Sequence, residues 1–217
     1  QLIMDSERGK KYRKEQAKKE SLAQEQARQN IDRAREAAQS IIIKGDETMI
    51  RDPQAELVAD VVKTLASHKE QETAQALINR LCEAIRSRNP DLRETTSATL
   101  AEVLDRLSPA DRNETLKKIT PKMVDWLQNE YKAVPAYKRI CMHFKSYTQH
   151  LLKQGHIEDA VPILSVFHAI ATGILDKNDK IHEVAEDFID SVASRENIET
   201  LLGEFKNKKG EKHNEAG

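Results

Sequence analysis

The chain has 217 residues, a formal net charge of −1 and 33% charged residues; this allows one large soluble domain or a short array of repeats and supplies no global field for attracting nucleic acid or anionic membranes. Aromatic residues make up only 4%, so the core must be aliphatic, and seven glycines with six prolines are few turn residues for a sheet fold of this length. The expected class is all-α.

The sequence begins Gln1-Leu2-Ile3-Met4, without an initiator methionine, and reads as a piece of a longer protein. No run approaches the ~18 consecutive apolar residues that a membrane span needs, and no secretory h-region precedes a cleavage site. A cytoplasmic, or at least soluble, location is expected. Residues 5–40 are rich in Ala, Glu, Gln, Lys and Arg and contain no proline, which favours a long helix. A thin seam of Ala23, Ala27, Ile31, Ala34, Ala38 and Ile41 steps by three or four, close to a coiled-coil heptad. Its first half is expected to project into solvent, with Ile41 to Ile43 docking it and Gly45 capping it. Domain boundaries follow: a charged helix or linker over 1–45, a helical repeat domain over 46–205, and a disordered lysine-rich tail over 206–217.

From Asp52-Pro53 the pattern becomes regular. Leu57, Val58, Val61, Val62 and Leu65 form one stripe, and Leu77, Ile78, Leu81, Cys82 and Ile85 form the next. Asn89-Pro90 opens a helix with Leu92, Thr96, Leu100, Val103, Leu104 and Leu107 on one face. Ser108-Pro109 is read as the start of a short helix and Thr120-Pro121 as the start of another, carrying Met123, Val124, Leu127 and Tyr131. In each case a polar cap candidate precedes a proline at the first helical position, where its missing N–H costs nothing. Pro135 opens a helix with Ile140, Cys141, Phe144, Tyr147, Leu151 and Leu152, closed by Gly155. The segment 157–175 is apolar over most of its circumference and is expected to be the most buried. After a polar turn at 176–179, Ile181, Val184, Ala185, Phe188, Ile189 and Val192 form a further stripe, and a short helix over 195–205 closes the array.

Units start at Pro53, Pro90, Pro135 and near Asn178, separated by 37, 45 and about 43 residues. Two helices per ~40 residues is the spacing of a HEAT or armadillo solenoid. Asn89, Pro90, Leu92, Arg93, Ala98, Leu100 and Leu104 resemble the first helix of a HEAT-type repeat, and the resemblance extends over residues 52–205. It implies a short right-handed α-solenoid of HEAT-like helix pairs, preceded by the long charged helix. The rival architecture is a compact bundle of eight or nine helices.

No reaction is legible. His143 and His150 are seven residues apart with His156 beyond Gly155, and a helical metal site would want spacings of three or four plus a carboxylate. No Gly-rich phosphate loop, Gly-x-Ser-x-Gly elbow or Cys-x-x-Cys pair occurs. Cys82 and Cys141 fall inside apolar stripes and read as buried thiols. A catalytic centre, a metal and a cofactor are therefore not expected. The expected function is a non-catalytic protein-protein interaction scaffold. Its candidate exposed anchors are Arg86, Arg88, Arg93, Trp126, Tyr131, Tyr137 and Lys138. The strongest charge feature is Arg8, Lys10, Lys11, Arg13, Lys14, Lys18 and Lys19, opposed only by Glu15. It offers the alternative of nucleic-acid or anionic-membrane binding, and the Ala-lined helix offers self-association as a regulatory segment of a signalling protein.

Overall fold

A computed structural model describes residues 7–44, 55–129, 134–175, 178–192 and 195–214; Gly45, Asp52, Pro53, Tyr131 and Asp176 lie outside them, as do the side chains of Ile41 to Ile43. Among the described residues the chain forms nine helices: α1 (Glu7–Lys44), α2 (Ala55–Ser67), α3 (Gln71–Ala84), α4 (Pro90–Arg106), α5 (Pro109–Asn129), α6 (Val134–Lys153), α7 (Ile157–Ala171), α8 (Asp179–Val192) and α9 (Arg195–Asn214).

The helices form two layers. α2, α4, α6 and α8 pack one on the next, while α1, α3, α5, α7 and α9 run along the other side and fill the grooves between them. The packed helix pairs join elements one or two places apart along the chain, the arrangement of an α-solenoid rather than a single central nucleus. The core runs continuously between the layers, from Ala34 and Ala38 on α1 to Ile198 on α9. Its densest part is α7, where Ala160, Val161, Ile163, Leu164, Val166, Phe167, Ile170 and Ala171 are all buried. Phe167 stacks on Phe188 of α8 with ring centroids 3.9 Å apart and planes 13° from parallel.

The helix boundaries follow local chemistry. Asn89 Oδ1 accepts from the backbone N–H groups of Asp91 and Leu92, with Pro90 at the first helical position, so the opening donors of α4 are satisfied. Gly155 (φ +75°) and Gly173 (φ +73°) end α6 and α7 in the left-handed conformation that only glycine adopts cheaply. Gly173 ends α7 earlier than its apolar pattern suggested. Ile174 is consequently 73% exposed.

Three further expectations need correction. Thr120-Pro121 does not begin a helix, because α5 runs unbroken through it and the Thr120 hydroxyl donates back to the Leu116 carbonyl at 2.6 Å. Leu116, Ile119, Met123 and Leu127 form one buried stripe across the proline. At roughly 1.5–3 kcal/mol per buried side chain, that stripe outweighs the ~3 kcal/mol cost of an interior proline. Leu57 is 57% exposed, so of the stripe read on α2 it is Val58, Val61, Val62 and Leu65 that face the core. Finally, α9 continues beyond Phe205 to Asn214, through a segment without proline that retains helix-forming Lys and Glu.

Candidate interaction surfaces

The side chains expected to anchor a partner do not form one surface. Trp126 on α5 and Tyr137 on α6 are 3% and 1% exposed, their ring centroids 5.6 Å apart in a tilted pair. They belong to the core, which corrects the expectation that they are exposed; in a chain so poor in aromatics, large rings fill the junction between α5 and α6. The Arg86 guanidinium donates to the Lys122 carbonyl at 2.6 Å and lies 3.2 Å from Asp125. Arg93 donates to the carbonyls of Ser87 and Arg88. Both arginines thus tie down the turn between α3 and α4. Arg88 and Lys138 are exposed, and Tyr131 lies outside the described residues.

A charged ladder that the sequence reading missed crosses the outer face of α2, α4 and α6. Arg106 pairs with Asp60 of α2 at 2.6 Å and with Glu102 at 2.7 Å. Arg139 of α6 reaches Glu102 at 2.8 Å and also Asp105, while His143 Nε2 lies 2.5 Å from Asp105 Oδ1. Hydrogen bonds from Arg139 and Arg106 hold the Glu102 carboxyl below its ordinary range. Burial pushes Asp105 upward, but Arg139 and His143 together outweigh it and leave the group lowered. For His143, burial lowers the imidazole more than Asp105 raises it. The recognisable signal was Glu102, Asp105 and Arg106, spaced three and four apart on the polar face of one helix. The ladder links three neighbouring helices of one layer, α2, α4 and α6.

Between α5, α6 and α7 two adjoining cavities of about 330 and 350 Å³ open to the surface, sharing Lys117, Tyr147 and Asp159. Tyr147 is 4% exposed. Its phenol is pushed up to about 12 by burial, then by the negative charges of Asp159 and Glu114. Pro121 of α5 and Pro162 of α7 both line the 330 Å³ cavity. The sequence signal was a proline set within each of two otherwise continuous helical stripes.

The basic patch lies where α1 leaves the body of the array. Ala34 and Ala38 are buried against α2 and α3, and Arg35 pairs with Glu70 at 2.6 Å. Lys10, Lys11, Arg13, Lys14, Lys18 and Lys19 are all exposed; the Arg8 side chain lies outside the described residues. At 100° per residue, Lys10, Lys11, Lys14 and Lys18 form a stripe roughly opposite the docked seam. The cysteines are free and buried, the Cys82 thiol pushed up to about 12 by burial. Among the described residues no group of three or more His, Cys, Asp or Glu is placed to hold a metal ion, and no helix is long and apolar enough to cross a membrane.

Two helical layers that pack only on near neighbours define the chain as an all-α, solenoid-like helical-repeat protein. The family model for the U3 small nucleolar RNA-associated protein 20 domain matches residues 43–212, most of the chain, and the chain belongs to that family. The helical-repeat character implied by the HEAT resemblance stands, within this family. No curated protein and no solved structure matches the sequence.

Proposed function

We propose that the chain is a non-catalytic scaffold module that holds protein partners within a larger, small nucleolar RNA-associated, ribosome-biogenesis protein. The observation that carries this reading is the open cleft between α5, α6 and α7, a formed concavity with mostly apolar walls and a few polar side chains set into them, beside a continuous core. The family name associates its protein with small nucleolar RNA, which favours the nucleolus over the cytoplasm expected from sequence alone. Cross-linking mass spectrometry in native extract tests the scaffold reading. Lys117 and Lys118, beside the cleft, should cross-link reproducibly to another protein; a chain that sediments as a free monomer with no cross-linked partner overturns it.

A second reading has one specific observation behind it, the lysine stripe on α1 facing away from the docked seam. Such a stripe suits a polyanion such as RNA, because phosphate neutralisation releases counterions. Replacing Lys10, Lys11, Lys14 and Lys18 by Gln should then flatten the salt dependence of RNA binding, by about 0.7 in log-log slope for each single-strand phosphate no longer neutralised. Absence of RNA binding by the unmodified chain at low salt removes this reading.

A further inference from the structure

We propose that the cleft between α5, α6 and α7 is a receptor for one guanidinium group, the side chain of an arginine on a partner protein. The proposal deepens the scaffold reading and rests on it. Two helices border the 330 Å³ cavity, and each contributes an interior proline to its lining: Pro121 on α5 and Pro162 on α7. Proline has no N–H, so the carbonyl four residues earlier loses its helical donor, and the ring pushes against that carbonyl. The residues concerned are Lys117 and Glu158, and both line the same cavity. One concavity is therefore flanked by two backbone acceptors that their own helices leave without the usual partner.

The third acceptor comes from α6. Tyr147 is more than nine-tenths buried and lines both adjoining cavities. A tyrosine whose ring is buried ordinarily keeps a hydroxyl partner, protein or water, and a donor that enters the cleft takes the place of water there. Around it stand the carboxylates of Glu158 and Asp159, with Glu114 in the adjoining cavity, against the amine of Lys117 and, in that adjoining cavity, the imidazoles of His150 and His156. Glu114 also pairs with Lys118 at 3.3 Å. The partial positive charge at the start of α7 opposes a cation, but it amounts to about half a unit charge, and Glu158 and Asp159 in that same turn outweigh it.

The chemistry selects the ligand. Carbonyls, carboxylates and a phenol oxygen outnumber the Lys117 amine and the His150 and His156 rings, which favours an occupant rich in donors over phosphate or a nucleic-acid backbone. Guanidinium presents five N–H donors in a fixed plane, is more weakly hydrated than an ammonium and stacks on aromatic rings. A cavity of about 330 Å³ is at the small end of ligand pockets, the size for one side chain rather than a folded element.

The test is titration of the isotopically labelled full chain with acetyl-Gly-Arg-Gly-amide, followed by amide NMR, beside the same peptide carrying citrulline, which keeps the shape and removes the charge. Saturable shifts are expected at Thr120, Val124, Asp159 and Ile163, with a millimolar Kd and binding about tenfold weaker for citrulline. Tyr147→Phe removes one oxygen and preserves the buried ring. Pro121→Ala returns a donor to the Lys117 carbonyl and leaves every carboxylate in place. Each is expected to weaken the arginine peptide several-fold while the fold, followed by circular dichroism, persists. Absence of shifts, equal binding of citrulline, or indifference to both substitutions overturns the proposal. If protein cross-links at Lys117 and Lys118 survive under those results, the scaffold reading stands and only the guanidinium site falls; if the arginine peptide binds but no protein is cross-linked, the reverse holds.

Discussion

At the residue scale, the side chains that looked most like binding anchors are those the fold uses for packing. Trp126 sits against Tyr137 inside the array, so Trp126→Ala should cost about 3–5 kcal/mol of stability, the range for truncating a buried aromatic. Denaturant unfolding measures this, and a loss below about 1 kcal/mol, typical of a surface change, would return Trp126 to the exposed anchors. The ladder makes a separate prediction. His143 is lowered by burial, so the unfolded chain takes up a proton near the ordinary value of about 6.5 while the folded chain resists it. Stability must therefore fall as pH drops below that value. Asp105, lowered in the folded state by its partners despite burial, adds stability above its ordinary range that is lost on further acidification. His143→Gln keeps a donor for Asp105 but does not titrate, and should flatten the stability curve as pH falls below about 6.5. An unchanged slope there would mean that His143 titrates alike in both states. Neither role was legible in the sequence, where Trp126 and His143 each follow only a one-dimensional pattern. Burial and partner identity are set by which helix lies across from them.

The helices themselves were the most legible part, because a stripe at three- and four-residue spacing is a direct record of one buried face. α3, α4, α6 and α8 bury most of the residues their stripes named. The failures have local causes. Pro121 carries two opposed signals, a helix start and an interior break, and the unbroken run of Leu116, Ile119, Met123 and Leu127 decides between them only when α3 and α7 are there to cover it. The cleft was illegible for the same reason, since prolines on α5 and α7 come to line one cavity only through packing. α1 is the opposite case, legible because little packs on it. Its docked contacts begin around Ala34 and its residues 10–26 lie almost wholly in solvent. Removing residues 1–26 should therefore change the unfolding free energy of the remainder by less than about 1 kcal/mol, while lowering the helical circular dichroism signal. A large loss of stability would show that the projecting half of α1 folds back onto the array.

For the whole molecule, the arrangement in two layers means that every helix is supported by near neighbours and that no shared nucleus joins the ends. In such an array stability is close to a sum of local units and nearest-neighbour interfaces, so damage should spread by contact rather than everywhere at once. Phe188→Ala tests this, because Phe188 stacks on Phe167 and closes the interface between α7 and α8. Truncating a buried phenylalanine costs about 3–5 kcal/mol, enough to raise local opening by several powers of ten. Hydrogen exchange should accelerate across α7, α8 and α9, and in α6 where it packs on α8. Protection in α2 and α3 should remain within a few-fold of the unmodified chain, since they reach the damaged interface only through α4, α5 and α6. A compact bundle with one cooperative core would lose protection uniformly, because its helices open together. Equal acceleration in α3 and α8 would therefore count against the solenoid, whereas a gradient falling from α8 towards α2 follows from helices that cover only their neighbours.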